Sequence, residues 1–315
     1  MNILEIKNLT ISFDGKRAVD DLSLELNEGE ILGLVGESGC GKSLTAFSVL
    51  GITPPGSALC GEIVYKGQNI LKLDAESQRK IRGNKISLIP QDPLSALNPV
   101  FTVGEQIYEV LEVHKNISYL QTVNVAKTAF EKVNIPNPEQ RLNDYPYQFS
   151  GGMRQRVLIA MALVNEPDVL IADEPTTALD VTIQLQILEI MKELRKKKKS
   201  ILLITHDLGV VSEVCDRVCV MYLGKIVEMA STKEIFTNPK HPYTIGLLNS
   251  LPDENKKVLS PIKGQPPSID SIPSGCAFHP RCNFVMDKCK KEFPELYEVK
   301  SSKEHKSRCF LEIGN

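Results

Sequence analysis

Four apolar runs punctuate the chain with little alternation: ILGLVG (31–36), KISLIP (85–90), VLIADE (169–174) and SILLITH (200–206). Near-continuous Ile, Leu and Val over such short lengths predicts strands buried on both faces of a largely parallel sheet. Phosphate-binding or acidic residues stand at their ends. Two other runs, LEIKNLTISF (4–13) and GEIVYKG (61–67), alternate more and predict antiparallel strands with one wetter face. From Thr102 to about Val164 strand signals fade. Apolar residues there recur at helical spacing, as in Val103, Ile107, Val110 and Leu111, which predicts a helical insertion between two sheet strands. After about Met229 the character changes again, and Pro252–Pro280 is rich in proline, serine and glycine, predicting loops and turns.

Composition adds exclusions. The formal net charge is -2 over 315 residues, so no global basic field points towards nucleic acid. The basic run Arg195–Lys199 reads as a solvated helix C-terminus, where cations suit the macrodipole. No segment approaches about 20 uninterrupted apolar residues, and the start MNILEIKNLT lacks a basic-then-apolar export pattern. A soluble chain in the cytoplasm is expected. Its eight cysteines then read as reduced thiols or metal ligands, with Cys60, Cys215 and Cys219 as small buried apolar residues.

The string GESGCGKS (36–43) fits G-x-x-x-x-G-K-[ST] between a predicted strand and a predicted helix. Gly36, Gly39 and Gly41 let the backbone wrap a phosphate, with N–H groups and a helix N-terminus facing the anion. Lys42 is placed to reach the outer phosphates of ATP, and Ser43 offers a hydroxyl to Mg2+. Ser38, Cys40 and Leu44 complete the cofactor-binding set. Asp173 and Glu174 follow an apolar strand, the position from which an acid reaches Mg2+ directly or through water.

Further motifs follow in order: IPQDP (89–93), FSGGMRQR (149–156), VLIADEP (169–175), TALD (177–180) and ITHD (204–207). With the phosphate loop, this constellation resembles the ATPase subunits of ABC transporters from about Leu4 to Met229. The resemblance implies that Glu174 polarises the attacking water, that Gln91 senses Mg2+, water and the membrane partner, and that His206 contacts the gamma-phosphate. It also implies that Phe13 stacks on adenine and that Asp180 communicates between paired sites. Ser150, Gly151 and Gly152 match the signature segment, whose helix N-terminus meets ATP held by the opposite subunit. The family's commonest form reads LSGGQ, so Phe149 and Met153 depart from it. Met153 lacks the side-chain amide, whereas backbone contacts are unaffected.

Half of the cysteines fall in the last forty residues: Cys276, Cys282, Cys289 and Cys309, spaced C-x5-C-x6-C-x19-C. Four soft ligands suit Zn2+ or an iron–sulfur cluster, and the spacing matches neither common zinc modules nor the bacterial ferredoxin run. Unligated thiols are the third reading, and His279 and His305 are nearby substitute ligands. The string GCAFHPRCNFVMDKC, with HPYTIGLL upstream, resembles the C-terminal extension of oligopeptide, dipeptide and nickel permease ATPases. That resemblance implies a 4Fe-4S cluster on the four cysteines, with Zn2+ as the alternative.

The expected fold is therefore α/β: a P-loop NTPase core of the ABC-ATPase kind (1–91 and 165–230) with an antiparallel β subdomain. A helical subdomain (92–164) and a loop-rich, metal-binding C-terminal extension (231–315) complete it. The resemblance implies an ATP-hydrolysing subunit that powers a peptide importer from the cytoplasmic face of the membrane. Its expected partners are a second ABC ATPase (a related chain, or a second copy), two transmembrane permease subunits docking near Gln91 and Ser95–Val103, and an extracytoplasmic substrate-binding protein. The alternatives are an importer of nickel or another small solute, and a soluble ABC-type ATPase acting on nucleic acid or ribosomes. One phosphate loop, one signature, no long heptad array and no basic field weigh against the last.

Overall fold

The computed structural model describes residues 1–115, 117–177, 179–251, 262–300 and 302–312. They form two compact units. A sheet unit comprises Asn2–Glu25, Ile31–Asn69 and Ile204–Asn315; a helical unit comprises Met1, Leu26–Glu30 and Ile70–Leu203.

The sheet unit begins with β1 (Asn2–Phe13), β2 (Lys16–Asn27), β3 (Ile31–Val35), α1 (Lys42–Val49), β4 (Ser57–Tyr65) and β5 (Gln68–Asn69). An antiparallel sheet runs β2-β1-β4-β5, with Leu4 opposite Tyr65 and Phe13 opposite Ser57. The alternation seen in the sequence becomes one buried face, Leu4, Ile6, Leu9 and Ile11, and one wetter face. Cys60 lies opposite Thr10 in this sheet and is exposed, so its expected burial is corrected. It occupies the outward side of the pleat, where a small residue gains no burial. Strand β2 has no counterpart among the runs read from sequence, although Leu22, Leu24 and Leu26 alternate and are buried.

The helical unit contains α2 (Ala75–Ile81), β6 (Ile86–Ile89), α3 (Pro93–Ala96), α4 (Val103–Lys115), α5 (Tyr119–Lys132), α6 (Pro138–Arg141), α7 (Gly151–Leu163), β7 (Val169–Asp173) and α8 (Val181–Lys196), and most of β8 (Ser200–Thr205). Strands β6 and β7 pair in parallel, Ile86 opposite Val169, and every residue of β7 and β8 is buried. That double-sided burial explains the unbroken apolar runs. Between β6 and β7 the chain is helical wherever it is regular. Val103, Ile107 and Leu111 of α4 are buried, as are Ala126 and Phe130 of α5 and Val157 and Ile159 of α7. Capping sets the helix starts: Thr102 and Glu105 bond each other's backbone N–H, as do Ser118 and Gln121. The run Arg195–Lys198 is exposed at the end of α8, as a solvated helix C-terminus requires.

The sheet unit resumes with α9 (Leu208–Val214), β9 (Arg217–Tyr222), β10 (Lys225–Ser231), α10 (Thr232–Thr237), α11 (Pro242–Asn249), α12 (Asp287–Lys291), β11 (Tyr297–Val299) and β12 (Ser302–Ser307). Here the strand order is β11-β12-β10-β9-β3, with β3 and β9 parallel. The C-terminal part is more than loops, because β12 adds to the sheet beside β10, Glu228 opposite Ser307. The expected loop over 252–280 is irregular apart from single 3-10 turns at Ile269–Ser271 and His279–Arg281; its portion 252–261 lies outside the described residues.

Candidate functional site

The phosphate loop leaves the buried strand β3 and enters α1. Glycine is required at its two ends. A Cβ on Gly36 would drive into the Met221 carbonyl, and Gly41 sits at φ 106, where a Cβ would lie 2.9 Å from the Ala18 carbonyl. The turn between β9 and β10 supports the loop from below: Gly224 donates to Cys40 O at 2.9 Å. Lys42 is buried, and its Nζ donates to the Gly36 carbonyl at 2.8 Å and the Glu37 carbonyl at 3.0 Å. Its charge is thus held within the loop's own curve, beside the start of α1. Burial pushes the Cys40 thiol up, against the pull of the Lys42 ammonium, which fits an inert packing residue. Ser38 and Gly39 are exposed, and Ser43 and Leu44 are half-buried on the first turn of α1.

A cavity of about 340 Å³ opens beside the loop, walled by Arg17, Ser38, Gly39, Cys40, Leu223 and Pro266–Ile269 among others. No motif or spacing in the chain signals that the C-terminal part contributes a wall here. Phe13 is half-buried at the end of β1 and is not among these walls. His206 is exposed just past β8, followed by Asp207, which caps α9 by accepting from Gly209 at 2.8 Å.

The helical unit gathers the other motif residues. Asp173 closes β7 and is buried to 1% exposure. Glu174 follows at φ 47, a left-handed conformation rare for a side-chain-bearing residue and one associated with functional sites. Gln91 Nε2 donates to Glu174 Oε2 at 2.9 Å, and the Thr177 hydroxyl donates to the same oxygen at 3.0 Å. The motifs put Gln91 and Glu174 in one reaction, whereas Thr177 carries no signal of its own beyond its place at the start of TALD.

Ser150 is the N-cap of α7, accepting from Met153 N at 3.3 Å, so Gly151 and Gly152 form the first turn of a thirteen-residue helix. A Cβ on Gly151 would meet nothing within 4 Å, whereas one on Gly152 would touch Leu179 and Ile183 at 3.7–3.9 Å. Asp180 caps α8 in turn, accepting from Ile183 N at 2.9 Å. Phe149 is buried, so the first departure from LSGGQ is a core residue. Met153, the second departure, is half-buried.

The C-terminal part reaches the phosphate loop through two residues. The Tyr243 hydroxyl accepts from Glu37 N at 2.8 Å, and Arg281 meets the Glu37 carboxylate with Nη1 at 2.6 Å and Nη2 at 2.9 Å. Cys276, Cys282, Cys289 and Cys309 line one cavity of about 20 Å³ with Phe278, His279 and Phe284. Burial raises the thiols of Cys276, Cys282 and Cys309, the last pushed up to about 12, and the neighbouring cysteines add to the rise. Among the described residues, no three His, Cys, Asp or Glu side chains are placed to hold one metal ion, so the single-zinc alternative finds no formed ion site. His305 does not line that cavity; its Nε2 sits 2.7 Å from Glu228, and both are fully buried.

The glycine-walled lysine loop of the sheet unit and, in the helical unit, the acid pair after β7 and the serine-capped helix α7 are each features of nucleoside triphosphatases. The ABC transporter family model matches residues 19–177, and the model of the oligopeptide/dipeptide transporter C-terminal region matches residues 227–289. The dipeptide transport ATP-binding protein DppD of Bacillus subtilis is 49% identical over 98% of this chain and 95% of its own. The oligopeptide transport ATP-binding protein AppD of the same organism is 48% identical over 98% and 96%. OppD of Escherichia coli, an oligopeptide transport ATP-binding protein, is 45% identical over 93% and 89%.

Among solved structures, the ATP-binding cassette MJ0796 bound to ADP and Pi, a dimer, is 27% identical with a TM-score of 0.65, covering 73% of this chain and 98% of that one. The cbiO1 protein from Clostridium perfringens, part of the cbiONQ transporter complex, is 28% identical with a TM-score of 0.64 over 75% and 91%. The chain belongs to the ABC transporter family, and it is an ATP-hydrolysing transporter ATPase. No helix among the described residues is long and apolar enough to cross a membrane.

Proposed function

We propose that this chain drives a peptide importer, with Glu174 as the base that removes a proton from the water attacking the gamma-phosphorus of ATP. The observation that carries this reading is the carboxylate of Glu174, fixed at the end of β7 by Gln91 and Thr177. A carboxylate so oriented accepts the water's proton as the P–O bond to ADP breaks and phosphate forms. Lys42 neutralises the outer phosphates, while Ser43 and Asp173 supply the hydroxyl and carboxylate oxygens that suit Mg2+. His206 contacts the gamma-phosphate, and Phe13 stacks on adenine from the end of β1.

Ser150, Gly151 and Gly152 serve the ATP of a second ATPase subunit, a related chain or another copy. The reading is supported by the capped, open first turn of α7, and Asp180 reports between the paired sites. Closure of the pair moves two transmembrane permease subunits from the cytoplasmic face of the membrane. The docking surface lies around Leu94, Val100 and Phe101, all exposed, within and beside the segment Ser95–Val103. Peptide as cargo, delivered by an extracytoplasmic binding protein, rests on the oligopeptide/dipeptide C-terminal region and on relatives described as dipeptide and oligopeptide transport proteins.

The four C-terminal cysteines are the ligands of a 4Fe-4S cluster in this reading. What supports it is the chemistry of four soft thiols lining one cavity, together with the resemblance of their surrounding string to the peptide-permease extension. When bound, such a cluster supplies a one-electron redox centre and cross-links the C-terminal segments. Iron, sulfide and zinc analysis of anaerobically purified protein tests it: about four irons and four sulfides per chain are expected, and one zinc overturns it.

Vesicle-reconstituted transporter tests the function as a whole. ATP hydrolysis stimulated by binding protein with peptide is the expected result. Stimulation by nickel and not by peptide would overturn the cargo and leave the ATPase assignment standing.

A further inference from the structure

Glu37 puts a carboxylate within residues 36–43, the segment assigned to the phosphates of ATP, whose charge it shares in sign. The structure gives that charge a dedicated partner. Arg281 meets both carboxylate oxygens, at 2.6 and 2.9 Å, across 244 residues of chain. The guanidinium is itself pinned: Nε donates to Lys263 O at 3.1 Å and Nη2 to Gly264 O at 3.1 Å. It also lies 5.9 Å from the ring centroids of both Tyr222 and Phe278. Tyr222, Tyr243 and Phe278 form one aromatic block, with centroids 4.7–5.4 Å apart. From that block the Tyr243 hydroxyl accepts the N–H of the same Glu37. The Glu37 carbonyl in turn accepts from Lys42 Nζ at 3.0 Å. Three groups of one loop residue are therefore occupied: its N–H by Tyr243, its carboxylate by Arg281 and its carbonyl by Lys42.

We propose that Arg281 and Tyr243 are positioning residues for ATP: they fix the phosphate loop through Glu37, and Arg281 cancels a negative charge that would otherwise repel the phosphates. Neither residue touches the reacting atoms in this assignment; both act through Glu37. A two-pronged guanidinium contact holds the carboxylate in one orientation, which a lysine ammonium does not. Arg281 is 5% exposed at its side chain and Glu37 27%, so the pair is screened by solvent far less than a surface ion pair. The assignment rests on residues 36–43 being the phosphate loop of the ATP site.

The test is the affinity of the full chain for N-methylanthraniloyl ATP, with the thermal midpoint measured without nucleotide alongside. Arg281→Met is expected to weaken binding about tenfold, the size of one lost charge-assisted contact. Glu37→Gln alone removes the charge but keeps one oxygen acceptor for Arg281, since its NH2 cannot accept from the second guanidinium nitrogen; a loss of affinity smaller than that of Arg281→Met is expected. The deciding variant combines the two. If Arg281 works by masking the carboxylate, Glu37→Gln restores most of the affinity lost in Arg281→Met. A purely structural role for Arg281 predicts no such rescue.

Arg281→Lys, expected to lose about threefold, and Tyr243→Phe, which removes only the hydroxyl, serve where Arg281→Met is not recovered folded. Unchanged affinity in the Arg281 variants, or no rescue in the double variant, overturns the proposal. Lys42→Ala separates the two layers. If it binds normally, the phosphate-loop reading has failed; if it loses binding while the Arg281 variants do not, only this inference has failed.

Discussion

Gln91 donates its side-chain amide to Glu174 Oε2 at 2.9 Å, joining the segment after β6 to the segment after β7 within one compact unit. These two residues are 83 positions apart and meet because their strands are parallel neighbours, Ile89 opposite Ala172. Any movement of the segment carrying Gln91 therefore reaches the carboxylate directly. Glu174→Gln is expected to retain ATP binding and to lower turnover by at least about 10²-fold, the usual scale for a general base. The variant should accumulate a closed dimer with ATP, visible by size-exclusion chromatography. Unchanged hydrolysis in the assembled transporter would remove Glu174 from its role.

Gln91→Ala leaves the carboxylate and Thr177 in place and removes only the amide. Hydrolysis by the isolated subunit should fall less than in Glu174→Gln, while stimulation by the permease should fall more. The comparison of basal and permease-stimulated rates checks this. Equal losses in both would reduce Gln91 to a local orienting contact.

Much of this arrangement was legible before the structure. The double-sided burial of β3, β6, β7 and β8 wrote itself into unbroken apolar runs, and the motif residues stand at their ends because strand ends are where loops begin. Strand β2 carries a signal of its own, Leu22, Leu24 and Leu26 alternating with Ser23 and Glu25, but the pair Asp20–Asp21 cuts that alternation off from Val19 and leaves it short. Cys60 was misplaced because a lone cysteine carries no facing information; the pleat decides it. The Arg281–Glu37 pair was invisible, since no periodicity or spacing links residues 244 apart in the chain. Four clustered cysteines could be found by counting, yet counting says nothing of their separation in space.

The signature helix gives a test in which sterics are excluded. A Cβ at Gly151 meets nothing within 4 Å and the residue is exposed, so Gly151→Asp should fold as the parent does. It places a carboxylate at a helix N-terminus assigned to the partner's ATP. Binding of ATP to a single chain should be unaffected, and turnover of the paired ATPases should fall by about 10²-fold or more. Loss of binding in the single chain would show that the segment acts in its own subunit.

Phe130 tests the helical unit itself. It is fully buried in α5, the helix that packs on α4 and α7, and contributes to no proposed chemistry. Phe130→Ala should destabilise the unit by about 3 kcal/mol through lost burial and the cavity left behind. A urea midpoint within experimental scatter of the parent would mean that the helices repack freely around the site.

His241 predicts how stability responds to acid. Burial lowers its imidazole to about 4, against the opposing influence of the Glu228 carboxylate and a bond to the Arg308 backbone. The neutral ring has a structural task, since Nδ1 accepts the Tyr243 N–H at 3.1 Å and so caps α11. In the unfolded chain the same ring titrates at its ordinary value near 6.5. Between those values the unfolded state binds the extra proton, so the group's contribution is complete above about pH 6.5 and is lost as pH falls towards 4. The full loss is about 3 kcal/mol. His241→Asn keeps an acceptor for the cap and removes the titration. Its urea midpoint should fall less steeply from pH 6.5 to 4 than that of the parent. Parallel pH profiles for the two proteins would show that His241 is protonated as readily folded as unfolded. Because Tyr243 also holds the phosphate loop, a matching acid-dependent loss of ATP affinity in the parent, absent from His241→Asn, would tie this cap to the nucleotide site.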